Sequence, residues 1–363
     1  MVRVGLLTSG GDCQGLNAAM RGVAKALYEA FDEVEIYGIL DGYRGLIQNR
    51  IRLMKPEDFS GILTLGGTIL GTSRCPFKMM RVVEKDGIDK VEAMKNTVKK
   101  CKLDCLVILG GNGTHKTANL LRTEGIRVIT LPKTIDNDLV GTDHCPGFGS
   151  AAKYIATTFS ELERDCHVYD TKAVTIVEVM GRNAGWLTAA SALARNNGAA
   201  GPSLIYLCEP AFSVESFLDD VKKKLEQQDS VLVAISEGIK DKNGVYISEQ
   251  VQSGAVDNFG HSYIAGSARV LEDIVRREIG CKVRSIELNL MQRCASHIAS
   301  KTDIQESKML GMTACRCALQ GKSGLMASVE RLGSHPYQVR YTAVPVCEVS
   351  NQEKKVPDDY INE

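Results

Sequence analysis

A carboxylate pair and a glycine turn are the residues of this chain best suited to chemistry. Residues 131–138 read L-P-K-T-I-D-N-D, so Asp136 and Asp138 stand two apart just after an apolar run. An earlier apolar run ends in G-G-N-G-T at residues 110–114. Glycines let backbone N–H groups approach phosphate oxygens, and a carboxylate can accept a proton or hold a metal. The pattern predicts chemistry on a phosphorylated substrate.

Two further glycine clusters support this prediction. Residues 8–17 read T-S-G-G-D-C-Q-G-L-N between a predicted strand and a predicted helix, where the helix dipole favours an anion. Residues 66–74 add the basic side chain of Arg74. The spacing fits neither the Walker motif nor the dinucleotide motif. A single cluster is explained equally well by a tight turn without a ligand, whereas three clusters with Arg74 favour anion binding.

The elements that must position these residues alternate along the chain. We predict strands at residues 2–7, 34–39, 104–109, 128–131, 173–179, 204–208, 231–235 and 284–290. We predict helices at residues 17–30, 91–102, 151–164, 214–227 and 268–279. Near-continuous apolar strands joined by helices are typical of an α/β protein with a parallel sheet covered on both faces. Ligands bind such sheets beyond the carboxyl ends of the strands.

Composition excludes several classes of partner. The 363 residues include 44 basic and 44 acidic side chains, so no excess of one charge attracts nucleic acid or an anionic membrane. No run approaches 18 apolar residues, and no signal peptide is evident. The twelve cysteines form no C-x-x-C pair, which favours reduced, mostly buried thiols and a cytoplasmic location. We expect the polar segment from residue 351 onward to be solvated.

Taken together, the motifs resemble those of the 6-phosphofructokinases. The match runs in order over roughly residues 3–320, and the combination of motifs is highly specific. The matching segments are T-S-G-G-D-x-x-G-x-N-A (8–18), G-G-T-x-L-G-T-S-R (66–74), G-G-x-G-T (110–114), P-K-T-I-D-N-D (132–138), V-E-V-M-G-R (177–182), S-E-G (236–238) and Q-R (292–293).

The resemblance implies a fold of two doubly wound, Rossmann-like parallel-sheet domains. Residues 1–147 plus about 292–340 would bind the phosphoryl donor. Residues 148–291 plus about 341–363 would bind the sugar phosphate. In the family one arginine of the 6-phosphate site comes from a neighbouring subunit, so a homodimer or homotetramer is implied.

The implied reaction is phosphoryl transfer to the 1-hydroxyl of fructose 6-phosphate, a step of glycolysis. Asp136 would be the general base for that hydroxyl, a role typically worth about 10²–10⁴ in rate. Thr134 would hold the transferred group, and Arg284 with Arg293 would clamp the 6-phosphate. The residues that match the substrate site are Thr134, Asp136, Asp138, Met180, Gly181, Arg182, Glu237, Arg284 and Arg293.

The donor, with Mg²⁺ as cofactor, would bind at the glycine turns. Arg74 would neutralise charge on the donor phosphates as the bond breaks, and Gly11 would supply a backbone N–H group. Tyr43 would stack on an adenine or, alternatively, belong to the core. The residues that match the donor site are Gly11, Tyr43, Arg74, Cys75, Gly110, Asn112, Gly113 and Thr114.

Two positions bear on whether the donor is ATP or pyrophosphate. At position 113 the family's ATP users carry glycine, as here, and its pyrophosphate users carry aspartate. A carboxylate there would repel a phosphate about 4 Å away by roughly 4 kcal/mol at an effective dielectric constant of about 20. Lys133 is another catalytic residue that the resemblance implies, and lysine at this position is typical of the family's pyrophosphate enzymes. Glycine with lysine also resembles an ATP-using or mixed-substrate subgroup, so we expect ATP and keep pyrophosphate as the alternative.

Three departures from the family keep another function open. Asn112, expected at the metal site, replaces an aspartate that serves magnesium, and an amide lacks the charge that hard cations prefer. Magnesium would then depend more on the donor phosphates and on Asp12 or Asp138. Ala173 replaces an arginine, and Leu290 a histidine, of the sugar-phosphate site. A non-catalytic sugar-phosphate or nucleotide sensor is therefore the second hypothesis, although Asp136 and Arg74 favour an enzyme.

Overall fold

The chain divides into two units, described here from a computed structural model that covers residues 1–73, 75–168, 170–250, 266–350 and 352–361. Arg74, a predicted catalytic residue, lies outside the described residues. The first unit comprises Met1–Ile135, Leu139–Ser150 and Arg293–Gln352. The second comprises Asp136–Asp138, Ala151–Gln292 and Glu353–Glu363.

Each unit is built on its own sheet. The strands, in chain order, are β1 (Val2–Thr8), β2 (Val34–Ile39), β3 (Ile51–Met54), β4 (Cys105–Gly110), β5 (Val128–Pro132), β6 (Ala173–Val179), β7 (Leu204–Tyr206), β8 (Ser230–Ser236), β9 (Lys282–Glu287), β10 (Leu325–Ser334) and β11 (Tyr337–Pro345). The predicted strands match eight of these elements, with ends that differ by a few residues.

The helices cover the sheets. They are α1 (Leu16–Ala30), α2 (Gly42–Ile47), α3 (Lys90–Lys100), α4 (Asn112–Thr123), α5 (Phe148–Cys166), α6 (Trp186–Ala190), α7 (Val214–Gln227), α8 (Ser267–Glu278), α9 (Met291–Cys294), α10 (Lys301–Leu319) and α11 (Val346–Val349). None of the described helices combines the length and apolarity that crossing a bilayer requires.

The first unit contains a seven-stranded sheet in the order β11-β10-β5-β4-β1-β2-β3. Its inner strands are parallel and carry fully buried runs such as C-L-V-I-L-G in β4. The order of the strands reverses between β1 and β4, and this switch point is where ligands bind in doubly wound sheets. The predicted parallel arrangement is confirmed for the inner strands.

The antiparallel strands β3 and β11 at the two edges of this sheet were not predicted. Both are partly exposed, so they lack the continuous apolar run that marks a buried parallel strand. Because β11 pairs with β10 along its length, residues 341–352 belong to the first unit and not with the sugar-phosphate residues as expected.

The second unit contains a four-stranded parallel sheet in the order β7-β8-β6-β9. The central strands β6 and β8 are almost wholly buried, whereas the edge strand β9 is largely exposed or half-buried. Phe217, Val221 and Leu225 line one face of α7, and Leu271 and Val275 lie on α8. These side chains form the core on the sheet, as the helical spacing predicts.

Two smaller expectations concern the cysteines and the C-terminal tail. All twelve cysteines are free thiols, and among them Cys13, Cys105, Cys145, Cys315 and Cys317 are buried. The expectation of a solvated tail holds for most of residues 352–361, which are exposed, whereas Val356 is only 2% exposed and its N–H group donates to Glu209 Oε1 at 3.0 Å. The tail is therefore a surface segment that is anchored to the second unit at Val356.

Candidate active site

The first glycine turn lies at the carboxyl end of β1. The Ser9 N–H group donates to the carbonyl of Leu109 on β4 at 2.9 Å. The Thr72 hydroxyl donates to the carbonyl of Gly10 at 2.7 Å, and the Gly10 N–H group donates to the carbonyl of Ser73 at 3.4 Å. The first and third glycine clusters are therefore joined by hydrogen bonds, as binding at one place requires.

The second glycine turn joins β4 to α4. A Cβ atom at Gly110 would lie 2.3 Å from Thr114 Oγ1, so only glycine fits there. The Thr114 hydroxyl donates to the carbonyl of Ser9 at 3.4 Å, which ties this turn to the first. Gly111 precedes α4, and glycine has no side chain with which to cap the first N–H groups of the helix. Those groups suit a phosphate.

Lys133 connects the two turns. The residue is only 4% exposed, and its Nζ atom donates to the carbonyl of Gly11. Its backbone N–H group donates to the carbonyl of Gly110 at 3.0 Å. The buried ammonium group therefore stabilises the first turn and adds positive charge beside it, while the backbone N–H group of residue 133 binds the second turn.

A second cation and a carboxylate complete this cluster. Arg293 Nη1 lies 3.4 Å from the position that a Cβ atom would take at Gly11. Burial raises the pKa of the Asp12 carboxyl, although the Cys13 N–H group, Lys133 and Arg293 oppose this shift. Arg293 belongs to the first unit, and its predicted contact with the 6-phosphate stays a prediction.

His115 supports the second turn from inside α4. Its side chain is fully buried, and burial lowers its pKa to about 4, so the imidazole is neutral at physiological pH. The Nδ1 atom lies 2.7 Å from the carbonyl of Gly111, which only accepts, so Nδ1 carries the proton. Sequence reasoning missed this residue, because a lone histidine after the turn carries no spacing signal.

The position of Tyr43 corrects the prediction that this residue belongs to the donor site. The side chain is 1% exposed within the core of the first unit, and its hydroxyl donates to the carbonyl of Thr114 at 2.8 Å. The ring therefore has no face for an adenine, and the alternative of a core residue holds. Cys75 packs partly buried against the same core, with its sulfur 3.7 Å from Ser73 Oγ.

The predicted catalytic loop continues from β5. Thr134 is grouped with the first unit, where it bridges to Gly147, and Asp136 and Asp138 are grouped with the second. Between the two aspartates, Asn137 is 3% exposed and has a φ of +55°. This left-handed conformation, which asparagine tolerates better than most residues, turns the chain between the two aspartates.

In the second unit the predicted sugar-binding residues meet at the carboxyl ends of β6 and β8. The Met180 N–H group donates to Gln292 Oε1 at 3.2 Å, and the Gly181 N–H group donates to Glu237 Oε1 at 3.3 Å. Gly181 has a φ of +129°, and a Cβ atom there would lie 2.5 Å from the carbonyl oxygen of Ala184. This turn therefore requires glycine, as the predicted M-G-R loop suggested. Arg182, which completes that loop, is half-buried.

Arg284 is not brought to this group. It pairs with Thr175 in the middle of the edge strand β9, and its Nη1 atom lies 3.4 Å from Asp165 Oδ2. The arginine side chain is 51% exposed. The structure therefore leaves its guanidinium group half in solvent, away from Met180 and Glu237.

Two buried carboxylates that sequence reasoning did not assign hold the backbone near these loops. Asp303 accepts from the Gly147 N–H group at 3.0 Å and from the Ser150 hydroxyl at 2.5 Å. Glu178 accepts from the N–H groups of Gly266 and Ala268 at the start of α8, and burial raises its pKa to about 7. The S-x-x-D capping pattern at residues 300–303 was a signal for the first. A glutamate within an apolar strand was a signal for the second.

Comparisons with known proteins agree that this chain is similar to phosphofructokinases. The phosphofructokinase family model matches residues 3–318. An ATP-dependent 6-phosphofructokinase of Spirochaeta thermophila is 37% identical, covering 98% of this chain and 93% of the relative. A pyrophosphate–fructose 6-phosphate 1-phosphotransferase of Xanthomonas campestris is 34% identical, covering 97% and 85%.

Two further comparisons bear on the sugar and on the fold. A sulfofructose kinase of Alkalicoccus urumqiensis is 32% identical and covers 100% of this chain and 92% of the relative. The crystal structure of a pyrophosphate-dependent phosphofructokinase from Marinobacter aquaeolei aligns with a TM-score of 0.83 at 28% identity, covering 100% of this chain and 87% of that one.

Proposed function

Because this chain belongs to the phosphofructokinase family, we propose that it transfers a phosphoryl group from ATP to the 1-hydroxyl of fructose 6-phosphate. Its membership of this family makes it a fructose 6-phosphate phosphotransferase; the donor and the place in glycolysis are the proposed part. The observation that carries the proposal is the cluster of two joined glycine turns with Lys133 and Arg293 beside them. Backbone N–H groups and two cations suit a polyphosphate.

In the proposed reaction Asp136 acts as general base. Its carboxylate takes the proton of the 1-hydroxyl, and the hydroxyl oxygen then forms a bond to the γ-phosphorus of ATP. The bond from that phosphorus to the bridging oxygen breaks, so that ADP leaves. Thr134 would hold the moving group, and the N–H group of Gly11 with Arg74 would stabilise negative charge on the donor.

Magnesium fits the donor set as an ion held mainly by phosphates. In the part of the chain that the structure describes, no three His, Cys, Asp or Glu side chains group to hold a metal. Mg²⁺ typically keeps several waters and binds through one or two carboxylates plus substrate phosphates. Asp12 would supply a carboxylate in the first turn. Asn112, whose Nδ2 atom donates to the carbonyl of Gln352 at 3.2 Å, would supply an amide oxygen. The ion would neutralise charge on the donor.

The environment of Gly113 supports ATP. A Cβ atom at Gly113 would meet nothing within 4 Å among the described residues, so the first turn of α4 leaves space for a larger donor. The contacts of Lys133 weaken the argument for pyrophosphate. Because the ammonium group of this lysine already stabilises the Gly11 backbone, its presence has a structural explanation that does not require pyrophosphate.

Initial rates with fructose 6-phosphate, measured side by side with ATP and with pyrophosphate, test the proposal. We expect faster turnover with ATP, and a loss of about a hundredfold or more in kcat for Asp136→Asn, since the base is removed without a change in shape. Asp219→Asn, an exposed carboxylate on α7, is the matched control. Binding of sugar phosphate without turnover with either donor would favour the sensor hypothesis.

A second acceptor, sulfofructose, is supported by a specific observation. Ala173 and Leu290 stand where relatives place an arginine and a histidine of the phosphate site, and Leu290 is 52% exposed. A relative with 32% identity is named a sulfofructose kinase. The kcat/KM values for fructose 6-phosphate and sulfofructose, measured with one donor, test whether sulfofructose is a second acceptor.

A further inference from the structure

The C-terminal segment 353–361, here called the strap, contacts the loop that carries the predicted base. The backbone N–H group of Lys354 donates to the carbonyl of Asp138 at 2.8 Å. The Lys354 Nζ atom donates to Asn137 Oδ1 at 3.3 Å. One residue of the strap therefore binds the loop through both its main chain and its side chain.

The strap also contacts the segment that follows the M-G-R loop. The Trp186 indole N–H group donates to the carbonyl of Lys354 at 2.9 Å. The Asn183 amide donates to Glu353 Oε1 at 2.9 Å. The Lys354 ammonium group lies 5.5 Å from the centre of the Trp186 ring, a cation–π distance. The strap thus links the aspartate loop to residues 183–186 within the second unit.

Val356 and Tyr360 attach the rest of the strap to the second unit. Glu209 Oε1 accepts from the Val356 N–H group at 3.0 Å and from the Gly185 N–H group at 2.8 Å. Val356 is 2% exposed, and the ring of Tyr360 meets that of Trp186 edge to face at 6.4 Å. These contacts anchor the strap on both sides of Lys354, which allows Lys354 to support the loop.

The aspartate loop contains a residue in an uncommon backbone conformation, which contacts from neighbouring residues can stabilise. Asn137 adopts a left-handed conformation that residues other than glycine seldom take, and its neighbours on both sides are the two aspartates. If Asn137 relaxes, the carboxylates of Asp136 and Asp138 change direction. Lys354 contacts the side chain of Asn137 and the carbonyl of the next residue, and so opposes that relaxation.

We propose that the strap is a positioning element of the active site and that Lys354 is a positioning residue for Asp136. This inference rests on the proposed role of Asp136 as general base. Lys354 holds the loop so that the carboxylate meets the sugar hydroxyl at a productive distance. Since a misplacement of about 1 Å can cost about a hundredfold in rate, loss of the strap acts mainly on kcat.

Kinetics of three variants test the proposal. We expect Lys354→Met to lower kcat about tenfold or more while the KM for ATP changes little, because the loop and not the donor site is disturbed. Lys354→Arg, which keeps a cation, restores most of the activity. Lys355→Met, at an exposed neighbouring position, is the matched control and keeps the rate of the unaltered protein.

Hydrogen exchange measured by mass spectrometry gives a readout that does not depend on activity. We expect faster exchange of the amides of residues 136–139 and 183–186 in Lys354→Met, with unchanged exchange in β4. A chain ended after Gln352 should show the same change more strongly. If that chain does not fold, Lys354→Met alone decides.

The possible results separate the two proposals. If the unaltered protein turns over no fructose 6-phosphate with either donor, the proposed function fails, while hydrogen exchange still tests the strap. If the unaltered protein is active and Lys354→Met keeps kcat within about twofold, the strap is not a positioning element. Unchanged exchange at residues 136–139 in Lys354→Met overturns the proposal in the same way.

Discussion

At the scale of single residues, the surroundings of Lys133 and Gly113 bear on the donor that their residue types suggest. Lys133 suggests a pyrophosphate enzyme by its type, yet its ammonium group is buried against the carbonyl of Gly11. Gly113 suggests an ATP enzyme by its type, and a Cβ atom there would have no described residue within 4 Å. We therefore expect the choice of donor to depend on the charge at position 113 more than on Lys133.

Gly113→Asp is expected to weaken use of ATP by at least about tenfold in kcat/KM and to affect pyrophosphate less. The physical reason is repulsion between the new carboxylate and a donor phosphate, worth up to roughly 4 kcal/mol at about 4 Å. Gly113→Ala adds the Cβ atom without charge, and its kinetics should stay close to those of the unaltered protein. Equal losses in both variants, or a stronger loss with pyrophosphate, would contradict the assignment.

Tyr43→Phe is expected to lower the free energy of unfolding by about 1–2 kcal/mol, since a buried hydrogen bond to the Thr114 carbonyl is lost. The KM for ATP should change little, because the ring lies in the core. Urea denaturation and initial rates measure the two quantities, with Tyr28→Phe as control. A large rise in KM for ATP at unchanged stability would instead support stacking on the adenine.

At the scale of elements, the hairpin of β10 and β11 is held by a charged network. His144 lies 2.8 Å from Asp143 Oδ2 and 2.6 Å from Glu306 Oε2 on α10. From the hairpin, Arg331 donates to Asp143 at 3.2 Å and the Tyr337 hydroxyl donates to Glu306 at 2.6 Å. Burial opposes protonation of His144, but the bonds to Asp143 and Glu306 outweigh it and raise its pKa to about 9.

This network predicts a pH dependence of stability. Because the pKa of His144 is higher in the folded chain than its usual 6.5, its contribution is complete below about pH 6.5 and is lost as the pH rises through about 9. The shift corresponds to about 3 kcal/mol of unfolding free energy. The difference in stability between the unaltered protein and His144→Gln should therefore shrink from pH 6.5 to pH 9.5. A difference that stays constant over this range, measured by urea denaturation with His335→Gln as control, would disprove the assignment.

At the scale of the whole molecule, the predicted donor residues and most of the predicted sugar-phosphate residues fall in different units. The first unit contains the joined glycine turns, Lys133 and Arg293, and the second contains Asp136, the M-G-R loop and Glu237. Arg284 of the second unit is half exposed on an edge strand and is not brought to Met180 or Glu237. A position of this kind suits a residue that serves a neighbouring subunit.

We therefore expect a homodimer or homotetramer in which Arg284 contacts the sugar phosphate of a neighbour. Light scattering with size-exclusion chromatography should give two or four times the mass of one chain. Arg284→Ala should raise the KM for fructose 6-phosphate about tenfold or more, because a charge-assisted bond to phosphate is lost. Arg277→Ala, exposed at the end of α8, is the control. A monomer with full activity would refute the expectation.

The sequence by itself determined the parts of this protein that depend on local order along the chain. The apolar runs predicted the inner strands other than β10, and glycines such as Gly110 and Gly181 marked turns where a Cβ atom has no room. The ordered motifs predicted the family, because each motif depends on neighbouring residues. These features follow from residue type and short-range spacing, which the sequence displays directly.

Only the tertiary structure decided the features that depend on contacts between distant residues. In the structure the Tyr43 hydroxyl binds Thr114 in the core, and the Lys133 ammonium group is buried against Gly11. Lys354 contacts Asn137, which lies more than two hundred positions earlier in the chain. A tyrosine, a lysine or a polar tail has the same local pattern whether it is solvated or packed. Burial is a property of the folded chain, and sequence spacing does not specify which distant partner provides it.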